Sequence, residues 1–67
     1  MQIKSTKDIG IFIKDVRKKL NLTQETLAQL SNVGTRFISD IENGKETCEI
    51  EKVLKVVLNL GIKINME

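Results

Sequence analysis

Residues 23–44 read Thr23-Gln24-Glu25-Thr26-Leu27-Ala28-Gln29-Leu30-Ser31-Asn32-Val33-Gly34-Thr35-Arg36-Phe37-Ile38-Ser39-Asp40-Ile41-Glu42-Asn43-Gly44, and the fold turns on this stretch. Thr23 is a favourable N-cap, because its hydroxyl can accept from the otherwise orphaned N–H groups of a following helix. That helix carries Leu27, Ala28 and Leu30 and ends near Ser31. Asn32 stands where the chain must reverse, and asparagine tolerates positive φ better than most non-glycine residues. A further helix, from about Thr35 to Asn43, turns Ile38 and Ile41 inward until Asn43-Gly44 stops it. The stretch is two short helices joined by a tight turn.

The same reading extends outward in both directions. Upstream, Ile9, Phe12, Ile13, Val16 and Leu20 recur at the three-and-four spacing of an amphipathic helix. Ser5 or Thr6 can cap it, and Ser5 with Asp8 resembles a capping box with Asp in place of Glu or Gln. Gly10, near its start, costs roughly 1 kcal/mol of helix propensity relative to alanine. A close approach to another segment would explain it. Downstream, a fourth helix carries Ile50, Val53, Leu54, Val57 and Leu60, and Gly61 stops it. Val56 and Leu58 are surplus to a single buried stripe and become interface candidates. After Gly61 the period changes: Ile62, Ile64 and Met66 alternate with Lys63, Asn65 and Glu67, the pattern of a half-buried strand over about 62–66. A lone strand is not stable, so it needs either Met1–Lys4 or its own copy on a second subunit.

Composition bounds the function. Sixty-seven residues form one domain, 1–67, and a chain of this size buries only ~60% of the surface its unfolded form exposes. Cys48 is the single cysteine, so no internal disulfide helps, and the chain reads as reduced and intracellular. Histidine is absent, which excludes the usual zinc sites, and no cofactor motif is present. Tight helical packing and oligomerisation are what remain. No apolar run approaches the ~20 residues of a membrane span, and no signal-peptide pattern opens the chain, so a cytoplasmic protein is expected. A net charge of +2 is weak evidence for nucleic acid by itself. Catalysis is not expected: there is no Gly-rich phosphate loop or activated nucleophile, and Glu49 and Glu51 face different sides of a helix. Cys48 reads as a core or spectator thiol.

The segment from Gln24 to Asn43 has the length of a helix-turn-helix unit, although periodicity alone does not separate that from another small helical bundle. Thr23-Gln24-Glu25-Thr26-Leu27-Ala28 followed by Ile38-Ser39-Asp40-Ile41-Glu42-Asn43-Gly44-Lys45 resembles the Cro/C1-type (XRE) helix-turn-helix family of phage and bacterial repressors. The resemblance spans about Ile9 to Gly61. The ending Leu60-Gly61-Ile62-Lys63-Ile64 resembles the HipB-like antitoxin regulators, in which a short C-terminal strand pairs across the dimer two-fold. The resemblance implies an all-α, lambda-repressor-like fold of four to five helices with that strand added. One departure is Asn32-Val33-Gly34, where many relatives read Gly-Val-Ser or Gly-Val-Thr. Any contact at Gly34 must therefore come from the backbone.

Site residues follow from how such a unit docks. The N-terminal part of its second helix enters the major groove, which brings Gly34, Thr35 and Arg36 nearest to base edges. Arg36 suits bidentate contact to guanine, worth ~1–3 kcal/mol of discrimination. Thr35 suits a thymine methyl or a hydrogen bond. Ser39 and Asp40 lie one turn on, and Asp40 either accepts from cytosine N4 or repels phosphates. Gln24, opening the first helix of the unit, can reach a phosphate. The family pattern makes Asn43 and Lys45 a clamp on the DNA backbone, the bland alternative for Lys45 being a solvated turn lysine. It also pairs Arg17 with Glu42, a structural lock. Phe37 reads as packing, and Lys18-Lys19 as a solvated face with nonspecific phosphate attraction.

The expected partners are double-stranded operator DNA and a second copy of the chain, through Val56, Leu58, Ile62, Ile64 and Met66. The HipB resemblance adds a HipA-like kinase toxin and an autoregulated toxin–antitoxin operon. Two alternatives stand beside this reading. One is a phage-type repressor with no toxin partner, and the other a mainly protein-binding antitoxin module acting through its folded body.

Overall fold

Ser5 starts the first helix, α1 (Thr6–Lys19). Its hydroxyl accepts from the Asp8 N–H at 3.3 Å, while the Asp8 carboxylate accepts from the Lys4 N–H at 3.0 Å. This is a reciprocal cap shifted by one residue from the usual box. Three further helices follow in the computed structural model, which describes residues 2–63: α2 (Gln24–Ser31), α3 (Thr35–Glu42) and α4 (Ile50–Asn59). Thr23 caps α2, accepting from the Thr26 N–H at 3.0 Å. Asn32 ends α2 in the left-handed region, φ 55°, and the Val33 N–H closes the turn on the Ala28 carbonyl at 3.0 Å. Asn21 makes the same left-handed reversal, φ 57°, between α1 and α2. The first turn was legible from its asparagine; the second carried the same signal unread.

α3 lies between α1 and α2, and α2 also packs on α4. The core is Ile13, Leu27, Ala28, Ile38, Ile41, Val53, Val56, Val57 and Leu60, with Ile9, Val16, Leu22, Val33, Phe37, Cys48 and Ile62 packed around it. Each large side chain fully buried here contributes about 1.5–3 kcal/mol. Phe37 is packing, as expected, with the Lys52 ammonium 5.8 Å from its ring centre. Ser31 is buried with no hydrogen-bond partner for its hydroxyl among the described residues.

Several inward assignments change. Leu20 and Leu30, expected in buried stripes, are exposed. On α4, Ile50 and Leu54 face out, whereas Val56, expected at an interface, is fully buried. The reason is phase. Apolar residues occupy roughly half of the α4 circumference at ~100° per residue, and only the Val53, Val56, Val57, Leu60 side meets the protein. Leu58 is exposed. Among the described residues there is no strand. Gly61, at φ 77°, turns the chain so that the Ile62 N–H meets the Val57 carbonyl at 3.3 Å. Ile64 and Met66, the remainder of the expected strand, lie outside the described residues.

Gly10 has the close neighbour its position called for. A Cβ there would collide with the Ile41 carbonyl oxygen and lie 3.1 Å from that of Glu42. Alanine is the better helix former by roughly 1 kcal/mol, yet overpacking against backbone costs about 1–3 kcal/mol. Gly10→Ala is therefore expected to destabilise the protein in chemical denaturation. A gain in stability would show that α1 and α3 are not in contact at this point.

Candidate nucleic-acid interface

Glu42, at the last position of α3, receives two hydrogen bonds from Arg17 of α1: Nε to Oε2 at 2.7 Å and Nη2 to Oε1 at 3.0 Å. Gln24, at the start of α2, donates its amide to the same Oε1 at 3.1 Å. The remaining guanidinium nitrogen, Nη1, donates to the Leu22 carbonyl at 2.8 Å. Both charged side chains are almost wholly buried. The Arg17 guanidinium is pushed above its ordinary value by the hydrogen bond to Glu42, against the opposing effect of burial, so it stays charged. The lock between Arg17 and Glu42 has the geometry expected of it. Gln24, expected at a phosphate, has its amide engaged inside the protein, a link not signalled by its sequence position.

The other end of α3 is bare. Gly34 caps it without a side-chain bond, and the Thr35 and Arg36 N–H groups have no acceptor among the described residues. Gly34 has an ordinary φ of −75° and nothing within 4 Å of an added Cβ, so folding does not demand glycine there. Thr35 and Arg36 are exposed, and no carboxylate among the described residues holds the Arg36 guanidinium. Ser39 and Asp40 are half-buried one turn on. Asp40 pairs with Lys45 at 3.6 Å, and the Asn43 amide donates to the Ser39 hydroxyl at 3.4 Å. The candidate contacts are therefore partly joined to each other. Exposed donors gather at the start of α3 and in the 43–45 turn, the arrangement that suits major-groove entry flanked by phosphate contacts.

Helix-turn-helix is the family whose profile matches residues 13–65. The chain belongs to the Cro/C1-type helix-turn-helix family of DNA-binding transcription regulators. Among this family's proteins it is 48% identical over 65 residues to an uncharacterized HTH-type transcriptional regulator, y4mF, of Sinorhizobium fredii, covering 97% of this chain and 86% of that one. It is 28% identical over 60 residues to the ImmF control region 10 kDa protein of Bacillus phage phi105, covering 90% and 67%. Its fold is similar to that of a structure named MDT Protein and to the HipA-HipB-O2-O3 complex. Each has a TM-score of 0.89 at 23% identity, over 98% of this chain and 93% of that one.

The cleft between α1 and the start of α4, lined by Thr6, Ile9, Ile41, Cys48 and Val53 among others, holds about 70 Å³. That is well below the ~300 Å³ at which small-molecule sites begin. Cys48 packs at its edge and its thiol donates to the Lys45 carbonyl at 3.3 Å. Among the described residues no acidic or sulfur cluster is placed to hold a metal, and no helix is long and apolar enough to cross a membrane.

Truncating Glu42→Ala strands a buried guanidinium and is expected to cost ~3–5 kcal/mol in denaturant unfolding. Gln24→Ala, which removes a neutral donor only, should cost clearly less. A Glu42→Ala loss below about 1 kcal/mol, the value of an exposed pair, would show that the lock is solvent-screened.

Proposed function

We propose that this protein is a sequence-specific transcriptional repressor that reads a two-fold symmetric operator as a homodimer. The observation that carries this reading is a recognition helix clamped at its C-terminus and bare at its N-terminus. Glu42 ties α3 to α1 and α2, while no side chain caps the other end at Gly34 and the Thr35 and Arg36 N–H groups are left open among the described residues. Arg36 takes the role of base reader, bidentate to guanine, with Thr35 beside it. Ser39 and Asp40 face the next base step, and Lys45 tempers the Asp40 charge that phosphates would otherwise meet. Gly34 contributes its backbone, and Asn43, Lys45 and the N-terminal turn of α2 at Gln24 hold the phosphates on either side.

The case for a dimer comes from α4. Ile50, Leu54 and Leu58 are 65%, 39% and 63% exposed and follow one another at a spacing of four, continuing the buried arc of the same helix. A second copy would cover them. The described residues extend 31 Å at most and carry one recognition helix, whereas successive major grooves lie ~34–36 Å apart. Two copies related by a two-fold axis supply the second helix. The alternation of Ile62, Ile64 and Met66 with polar residues in the sequence supports a two-stranded ribbon across that axis.

Within this function we place the protein with the HipB-like antitoxins, acting in the cytoplasm to repress its own toxin–antitoxin operon and to associate with a HipA-like kinase. The ending Leu60–Ile64 and the similarity in fold to HipB solved with HipA support this. A phage-type repressor without a toxin has its own support in the relative from Bacillus phage phi105. Co-purification with the product of the adjacent gene separates the two.

Binding to the DNA upstream of the protein's own gene should fall on the order of tenfold or more for Arg36→Ala, while affinity for unrelated duplex changes little. Equal losses on both would remove Arg36 from base reading, and weak, sequence-blind binding by the wild type would refute the repressor itself. Leu54→Glu is expected to yield a folded monomer in sedimentation. A dimer unaffected by that change would place the interface elsewhere.

A further inference from the structure

Beyond the recognition helix, α1 carries a row of four residues, Lys7, Gly10, Lys14 and Arg17, at spacings of three, four and three that put them on one edge of the helix. The two inner contacts of this row both land on the C-terminal end of α3. Gly10 lies against the Ile41 and Glu42 carbonyls, and Arg17 grips the Glu42 carboxylate. The two lysines therefore emerge beside the same end of α3. For Lys7 the placement is direct: its Cα, Cβ and Cγ lie 3.2, 3.3 and 3.4 Å from where a Cβ on Gly44 would sit, and the neighbouring Thr6 hydroxyl donates to the Gly44 carbonyl at 3.4 Å.

Both lysines are exposed, and among the described residues neither is paired with a carboxylate. Three other lysines are paired: Lys19 with Asp15, Lys45 with Asp40 and Lys52 with Glu49. The two acids of α1 itself are engaged elsewhere. The Asp8 carboxylate accepts from the Lys4 N–H, and Asp15 pairs with Lys19.

We infer that Lys7 and Lys14 form a basic rail that continues the Asn43–Lys45 phosphate clamp onto α1 and holds the DNA backbone outside the bases read by α3. The inference rests on the DNA-binding reading above and adds to it a sequence-blind contact from a helix outside the helix-turn-helix unit. Two compact ammonium groups on flexible stems suit phosphates as point charges rather than base edges. A purely structural role is the competing explanation, since the lysines also lie near the negative end of the α3 dipole.

The test is fluorescence anisotropy with two duplexes of equal length, the DNA upstream of the gene and an unrelated sequence, over a salt series. Wild type is compared with Lys7→Gln, Lys14→Gln, the double variant, and Lys55→Gln on the polar face of α4. Each lost phosphate contact should lower the slope of log K against log salt by ~0.9 per protomer, on both duplexes alike. Lys55→Gln should leave the slope unchanged, and thermal unfolding of the double variant should match wild type. Unaltered slopes in the Lys7 and Lys14 variants, with wild type still binding, would overturn the rail and leave the repressor reading standing. A loss confined to the upstream sequence would also overturn it, because a backbone contact carries no sequence preference. Failure of wild type to bind either duplex would sink the repressor reading itself.

Discussion

One buried carboxylate organises this protein. Glu42 terminates α3 at the end where the helix dipole disfavours an anion, so it must be satisfied by other segments. Arg17 and Gln24 do this from two different helices, and the leftover guanidinium N–H goes to the backbone at Leu22, between them. A single side chain thus fixes α3 against both α1 and α2. Gly10 completes the arrangement by letting α1 approach close enough for Arg17 to reach. Buried ion pairs often add little net stability, because desolvation offsets the Coulomb gain. What this one supplies is orientation.

Orientation matters because the other end of α3 has no internal tasks. Ser5 and Thr23 cap α1 and α2 with their own side chains, whereas Gly34 offers α3 none. The open N–H groups and the positive dipole end point to where an anionic or acceptor-rich partner would sit. Small size presses in the same direction. A nine-residue core of aliphatic side chains leaves Ile50, Leu54 and Leu58 of α4 uncovered, the face on which the proposed second protomer would rest.

Much of this was legible in the sequence, for identifiable reasons. Caps and turns are local, so Ser5, Thr23, Asn32 and Gly44 gave the helix ends to within a residue of where they fall. The Arg17–Glu42 pair came from the family pattern, since no spacing rule joins residues twenty-five apart. Gly10 announced a close approach without naming the neighbour. Burial was less legible where a helix is apolar on more than one side. On α4, periodicity could not say which part of the arc meets the protein, and Val56 exchanged places with Ile50 and Leu54. Leu20 and Leu30 failed differently, because both sit at helix ends where the packed face runs out. The Gln24–Glu42 and Asp40–Lys45 links depend on how loops bring helix ends together, which no local pattern encodes.

The most direct measurement is a two-dimensional NMR titration of the protein with the duplex from upstream of its own gene, following the backbone amides of α3 together with the Arg17 Nε–H. A helix locked at Glu42 and reading DNA with its bare end should show its largest shifts at Thr35 and Arg36. The Arg17 Nε–H should stay hydrogen-bonded and slow to exchange in both free and bound states. Unmoved Thr35 and Arg36 amides at saturation, or an Arg17 signal that opens to solvent on binding, would contradict a clamped recognition helix.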